Sequence, residues 1–154
     1  MSFRNLSALA LAGLLSVTIG AAVVAQDLTV DPAIASMSPE QLVEARQAAM
    51  KQNGGIMRGL GNLSGAEAVA ATDTLIQNFA NFPALFAEGS IVGDSKALPI
   101  IWEEKEAFDA MFAQAVEASQ AAKAAAEAGD AAAMGAALQS IGPLCGMCHQ
   151  KYRS

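Results

Sequence analysis

The C-terminal end of the chain carries the run Cys145-Gly-Met-Cys148-His149. Two thiols separated by two residues and followed directly by an imidazole form the attachment signature of c-type haem. The thiols can form thioether bonds with the two vinyl groups of the porphyrin, and the imidazole can bind the iron. On a helix the three side chains occupy positions i, i+3 and i+4, so they share one face. Because the motif occurs once and His149 is the only histidine, the sequence predicts one covalently attached haem c with one histidine ligand.

The Cys145 and Cys148 pair admits other interpretations. Two cysteines in an exported protein often form a disulfide. A thioredoxin-like redox pair usually begins a helix that follows a strand, and no strand pattern precedes this pair. A zinc site needs about four ligands, and only the two thiols and His149 are at hand. Haem attachment is therefore favoured, with a disulfide or thiol redox chemistry as the alternatives.

The N-terminal residues resemble an export signal. Arg4 gives a positive start, residues 8–22 form an apolar stretch without charge, and small residues at 23–25 offer a cleavage site. The apolar stretch is shorter than the roughly 20 residues of a spanning helix, so stable membrane insertion is not expected. The sequence predicts a signal peptide over residues 1–25 and a single domain over residues 26–154, exported to the periplasm.

The charge of the chain limits the kind of partner it can bind. Nine Lys and Arg residues stand against 15 Asp and Glu residues, which gives a net charge of −6. An acidic protein repels nucleic acid and anionic membranes and attracts basic protein surfaces. We therefore expect partner proteins with a basic surface, and no nucleic acid.

The spacing of apolar residues is helical, and no segment alternates with a period of two. Four helices are predicted, over residues 38–60, 64–81 and 99–128 and from residue 130 to the end. Two short connections and one long crossover between the second and third helices fit an antiparallel four-helix bundle. The fold class is therefore all-α, with the haem motif on the last helix.

Helix ends are predicted from local signals. Ser38 with Gln41, and Ser64 with Glu67, form capping-box patterns at the start of the first two helices. Gly129 is expected to end the third helix in the left-handed conformation.

Two prolines are expected to interrupt helices. Pro83 should end the second helix near Asn81, because proline restricts the residue before it. Pro143 lies inside the fourth helix, where it removes a backbone donor and crowds the preceding turn. We therefore expect a kink at Pro143, or a new helical segment that begins there.

A haem with one histidine either leaves the sixth position of its iron open or takes a second ligand, for which methionine is the candidate. Met50 stands out because Arg46 lies one turn before it on the same helix face, where its guanidinium could pair with a haem propionate. The spacing alone leaves ordinary core packing as an equal alternative for Met50. The other candidates are Met57, Met111 and Met134.

Four segments resemble the class II cytochromes c, the family of cytochrome c′ and cytochrome c-556. They are residues 44–51 with Arg46 and Met50, Ile101-Trp102, residues 128–130, and residues 145–153 around the haem motif. The resemblance implies a four-helix bundle with its haem near the C-terminus. It also implies that Arg46 lies near the propionates and that Arg153 lies beside the ring of His149.

The two branches of that family differ in the sixth ligand. In cytochrome c′ the iron is five-coordinate and binds nitric oxide or carbon monoxide, whereas in cytochrome c-556 a methionine of the first helix binds the iron. Residues 50–61 are similar to the cytochrome c-556 branch. The resemblance thus implies a low-spin electron carrier with His149 and Met50 as ligands, and a gas-binding cytochrome c′ is the alternative.

The resemblance also bears on partners and activity. Members of the family exchange electrons with redox partner proteins and often pair with a second copy of themselves. No Ser/His/Asp set is present and no second histidine remains to act as a base, so enzymatic activity is not expected.

Overall fold

The structure, a computed structural model, describes residues 28–154. The signal peptide predicted for residues 1–25 lies outside these residues. The described chain is all-α, and its helices are α1 (Pro39–Gly59), α2 (Gly65–Leu85), α3 (Ile100–Glu103), α4 (Lys105–Glu127) and α5 (Ala131–Tyr152). The helix α1 packs against α2, α2 against α4, and α4 against α5. The prediction of an all-α bundle of four long helices is confirmed.

One of the two predicted capping boxes forms. The backbone N–H of Gln41 donates to Ser38 Oγ at 3.3 Å, and the N–H of Ser38 donates to Gln41 Oε1 at 2.8 Å. The predicted box at the start of α2 is wrong, because the Ser64 side chain makes no capping hydrogen bond. Instead α2 begins at Gly65 with a φ of +53°, in the left-handed region that glycine enters without steric cost.

The prediction that Pro83 ends the second helix is wrong, because α2 continues to Leu85. Phe82 and Leu85 lie on its last turn and are almost completely buried, and the Phe82 ring lies 5.0 Å from that of Phe112 on α4. Burying each such side chain contributes about 1.5–3 kcal/mol. Together they offset the roughly 3 kcal/mol that a proline costs inside a helix.

The predicted third helix is divided in two at Glu104. The backbone of Glu104 leaves the helical region there, and its carboxylate accepts a hydrogen bond from the Tyr152 hydroxyl at 3.0 Å and pairs with Lys151. These bonds, first that of Lys151 and then that of Tyr152, lower the pKa of Glu104. The break between α3 and α4 therefore lies where α4 is tied to the end of α5.

The last helix begins as predicted but does not restart at Pro143. Gly129 has a φ of +69°, and the Asp130 side chain accepts from the N–H of Ala133 at 2.9 Å. The helix α5 then runs without interruption to Tyr152. Pro143 and Gln139 are both exposed, so the carbonyl that Pro143 leaves without its helical donor lies where water can reach it.

An aromatic cluster joins the end of α2 to α4 and α5. The Phe108 ring lies 5.0 Å from each of the rings of Phe86, Phe112 and Tyr152. Phe108 itself is completely buried. Edge-to-face contacts of this kind add to the apolar burial and set the distance between the helices.

The crossover loop, residues 86–99, is held by a buried guanidinium. Arg46 on α1 is 3% exposed and donates to the carbonyls of Leu85 and Ser90 at 2.9 and 2.7 Å. It also donates to the hydroxyls of Ser90 and Ser95 at 2.8 Å. The guanidinium lies 4.6 Å from the centre of the Phe86 ring, a cation–π distance.

The crossover loop is also bonded to the C-terminus. The N–H of Leu98 donates to the carbonyl of Tyr152 at 2.9 Å, and the N–H of Ser154 donates to the carbonyl of Lys96 at the same distance. The loop therefore links α1 to the end of α5, two helices that face each other across an open space.

Arg46→Gln should destabilise the protein, because the shorter amide cannot reach all four oxygens and leaves buried carbonyls without donors. We expect a loss of about 3 kcal/mol in the free energy of unfolding, measured by chemical denaturation of the mature protein. Arg58→Gln, at an exposed arginine of the same helix, should change stability by less than about 0.5 kcal/mol. Equal stability of the two variants would show that Arg46 does not anchor the crossover loop.

Candidate functional site

Two adjoining cavities lie between α1 and α5. The outer cavity has a volume of about 380 Å³ and opens beside the crossover loop, where it is lined by Arg46, Lys51, Lys96, Tyr152 and Arg153. The inner cavity has a volume of about 220 Å³ and lies deeper between the helices, where it is lined by Asn53, Met57, Phe79, Met111, Phe112 and Cys145. Three further residues, Met50, Cys148 and His149, line both cavities.

The structure brings the predicted haem-motif residues together on one wall. Cys145, Cys148 and His149 lie on the last turns of α5 and all line the inner cavity. Their common face follows from the i, i+3 and i+4 spacing on an uninterrupted helix. Met50 lies on α1 at the opposite wall. The residues that the sequence predicts as attachment points and as axial ligands thus border one continuous space.

The two thiols are poorly suited to redox exchange. Burial raises the pKa of Cys148 to about 11, with a further contribution from the charge of Cys145. The residue Cys145 is exposed as a whole, and partial burial of its thiol raises its pKa. Exchange chemistry requires a thiolate, which redox-active cysteines obtain through a lowered pKa. Both cysteines are free thiols in the structure. The geometry therefore does not favour the disulfide or thioredoxin-like alternatives.

The imidazole of His149 is disposed to act as a metal ligand. Partial desolvation of the ring lowers its pKa, and the positive charge of Arg153 lowers it further. A lowered pKa keeps the ring neutral near pH 7, so a nitrogen lone pair is free for a metal. Arg153 acts on His149 through its charge, and its placement beside the ring stays a prediction. Within residues 28–154, no group of three or more His, Cys, Asp and Glu side chains is arranged to hold a metal ion.

Arg46 lines the outer cavity, as a propionate partner would, but most of its donors are already used. Its four hydrogen bonds to the crossover loop occupy the two terminal nitrogens, and a guanidinium has five N–H groups in all. Pairing with a propionate stays a prediction. Local patterns could not predict the bonds to Ser90 and Ser95, because those residues lie more than 40 positions from Arg46 in the chain.

Lysines missed by the motif analysis surround the outer cavity. Lys51 and Lys96 line it together with the two arginines, and no carboxylate lines it. Within the described residues, Lys51, Lys96 and Arg153 form no ion pair, whereas the other lysines pair with neighbouring carboxylates. The outer cavity of this acidic protein is therefore locally positive.

Together these features fit a haem. Two thiols and a neutral imidazole share one wall, the inner cavity is largely apolar, and unpaired cations at the opening suit the two propionate carboxylates. The end of α5 is also left uncovered by the rest of the protein, since Cys145 is exposed and Met147 is 50% exposed. By length and composition α5 could cross a membrane, a test that the core helices of globular proteins also pass. A covalently attached porphyrin would cover the apolar face that α5 presents to the cavities.

Comparisons with known proteins agree with this fit. A family model described as Cytochrome C' matches residues 41–153. Cytochrome c-556 of Agrobacterium tumefaciens (strain II Chrys) is 41% identical over 118 residues, which are 72% of this chain and 95% of that protein. Cytochrome c' of Pararhodospirillum photometricum is 34% identical over 123 residues, which are 75% of this chain and 98% of that protein.

A solved structure shares the fold. It is the nitric oxide complex of a single-residue variant of cytochrome c prime from Alcaligenes xylosoxidans, which superposes with a TM-score of 0.67. The match is 26% identical and covers 76% of this chain and 97% of that chain.

Covalent attachment can be tested directly. The protein matured in a host that assembles c-type cytochromes should exceed the mass of the bare mature chain by one haem, and its colour should stay with the chain under denaturing conditions. Replacing both Cys145 and Cys148 by alanine should abolish both the added mass and the colour that stays with the chain, because no thioether can form. Met147→Ala, between the two cysteines but at an exposed side chain, should retain them. Mature protein with the mass of the bare chain would contradict the assignment.

Proposed function

The chain belongs to the Cytochrome C' family, and we propose that it is a periplasmic mono-haem cytochrome that carries single electrons, with His149 and Met50 as the axial ligands of a low-spin iron. The cofactor of this family is a covalently attached haem c. The observation that carries the proposal is the position of Met50, the methionine that lines both cavities together with Cys148 and His149.

The other candidate methionines are less favourably placed. Met57 and Met111 line the inner cavity but not the outer one. Met134 is 4% exposed and lies in the hydrophobic core of the bundle, away from both cavities. This comparison favours Met50 over the other candidate methionines as the sixth ligand.

The bound haem would supply the one-electron couple of its iron, and the residues of the chain would set the conditions for it. A thioether ligand from Met50 favours the reduced state relative to a harder ligand. With the haem bound, the apolar walls around Phe79 and Phe112 would exclude water from the inner cavity, and the cations of the outer cavity would offset the charge of the propionates. The same two ligands in both oxidation states would keep reorganisation small.

Gas binding on a five-coordinate haem is the second candidate function. It is supported by the relative named cytochrome c' and by the solved nitric oxide complex of a cytochrome c prime. In this alternative Met50 would lie near the iron without binding it.

The proposal includes location and partners. The predicted signal peptide supports export to the periplasm. The net charge of −6 supports a redox partner protein with a basic surface, because opposite charges speed encounter. A second copy of the chain is the other partner that the resemblance implies. The relatives are cytochromes, and we propose no enzymatic activity.

Met50→Ala should convert the oxidised protein from low-spin to high-spin iron while the haem stays covalently attached, because the thioether ligand is lost and the attachment motif is intact. Absorption and resonance Raman spectra measure the spin state. Met57→Ala, which removes another thioether from the inner cavity, should leave the spectrum low-spin.

An unchanged low-spin spectrum in Met50→Ala would show that Met50 is not the ligand. A high-spin spectrum in the unaltered protein, with a shift on adding carbon monoxide, would instead favour the gas-binding function.

A further inference from the structure

Asn53 is a polar side chain in the apolar wall of the inner cavity. It is 6% exposed and lies three residues after Met50 on α1, so both side chains are on the same face of the helix. The surrounding wall consists mainly of methionine, phenylalanine and alanine side chains. An amide at such a place costs free energy unless it is hydrogen-bonded.

A side chain on α2, Asn78, is hydrogen-bonded to the oxygen of the Asn53 amide. Asn78 Nδ2 donates to Asn53 Oδ1 at 2.7 Å and to Gln52 Oε1 at 2.9 Å. With Asn78 in this orientation, rotating the Asn53 amide by half a turn would set its Nδ2 against the Nδ2 of Asn78, and both are donors. The oxygen of Asn53 therefore faces α2, and its nitrogen is directed elsewhere.

That nitrogen has no acceptor. Asn53 Nδ2 is the buried side-chain polar atom without a hydrogen-bond partner among the described residues. A buried donor without a partner costs about 1–3 kcal/mol, and folded proteins pair nearly all such groups. The cost would be removed if the assembled protein supplied an acceptor within the inner cavity.

Few acceptors are available there. No other side chain that lines the inner cavity carries a carboxylate, amide or hydroxyl oxygen. Once a haem is attached, Cys145 and Cys148 are thioethers to the porphyrin and His149 is occupied by the iron. The remaining side-chain acceptors are thioether sulfurs, and those of Met50 and Met57 lie one turn from Asn53 on the same helix face. Of these two methionines, Met50 also lines the outer cavity together with His149.

We propose that the Asn53 amide donates a hydrogen bond to the group at the sixth position of the iron, which is the Met50 sulfur in the electron carrier proposed above. Asn53 is then a positioning residue, since it acts on the iron through Met50. The inference rests on the proposed function for the identity of the acceptor. A donor on the thioether sulfur withdraws electron density and favours the reduced iron, so its loss should lower the midpoint potential.

The first test is the midpoint potential of the mature haem protein. Asn53→Leu is similar in size and leaves Asn78 its bond to Gln52, so the fold should be retained. Loss of one hydrogen bond should reduce the ratio of reduced to oxidised protein about fivefold at fixed potential. That factor corresponds to a fall of about 40 mV for a one-electron couple. Asn62→Leu, at an exposed asparagine just after α1, should leave the potential unchanged.

A second test replaces the acceptor. In the Met50→Ala protein, carbon monoxide bound to the reduced iron becomes the acceptor, and the C–O stretching frequency reports on a nearby donor. The frequency should rise when Asn53→Leu is added to Met50→Ala and stay the same when Asn62→Leu is added.

The possible outcomes separate the two proposals. If Asn53→Leu matches Asn62→Leu in both potential and C–O frequency, the Asn53 inference is overturned whatever the spin state. If Met50→Ala leaves the iron low-spin, the proposed axial ligand fails, and a fall in the potential of Asn53→Leu would still support a donor at Asn53. A lowered potential together with a raised C–O frequency supports both.

Discussion

The buried guanidinium of Arg46 ties α1 to the crossover loop, and that loop is bonded to the end of α5. It lies where α1, the end of α2 and the crossover loop meet, and it satisfies backbone carbonyls that would otherwise be buried without donors. Burial lowers the pKa of Arg46, yet an arginine keeps its charge at neutral pH. The loop that it holds is bonded in turn to the end of α5 at Tyr152. The space beside His149 therefore depends on a charge one turn before Met50.

The opposite wall is made rigid by aromatic packing. Phe108 contacts Phe86, Phe112 and Tyr152, so the end of α5 is fixed against α4 one position before Arg153. Close-packed rings leave little freedom for the backbone that presents the haem motif. The site thus combines a wall set by apolar contacts with an opening set by hydrogen bonds. This is the division expected when a large apolar group with charged edges must be enclosed.

The features that could be predicted from the sequence are those determined by residues that lie close together in the chain. The haem motif, the capping box at Ser38 and the left-handed Gly129 depend on residues at most five positions apart. The predicted helix boundary at Pro83 is wrong, because burying Phe82 and Leu85 against a distant helix stabilises the last turn of α2 by more than the local effect of the proline destabilises it. Tertiary packing commonly overrides local preference in this way.

The same limit applies to the site, where contacts between residues far apart in the chain could not be predicted. Spacing placed Arg46 and Met50 on one face, but it could not reveal that loop residues 44 and 49 positions away bind the guanidinium. One feature of the sequence indicates Asn53: it is an amide on a helix face that it shares with Met50 and Met57. Its role depends on Asn78, which donates to its oxygen from α2.

The two candidate functions differ at few atoms, because the same bundle and the same α5 wall serve both. A fold of this kind does not by itself select the function. The choice is made on α1, by whether the Met50 sulfur reaches the sixth position, and a difference of about 1.4 kcal/mol in that equilibrium changes the bound fraction ratio tenfold. A hydrogen bond from the buried Asn53 donor to the Met50 sulfur contributes a free energy comparable to this difference. Both the donor and the sulfur belong to α1. The polar network between α1 and α2 therefore bears on ligation even though none of its members is a ligand.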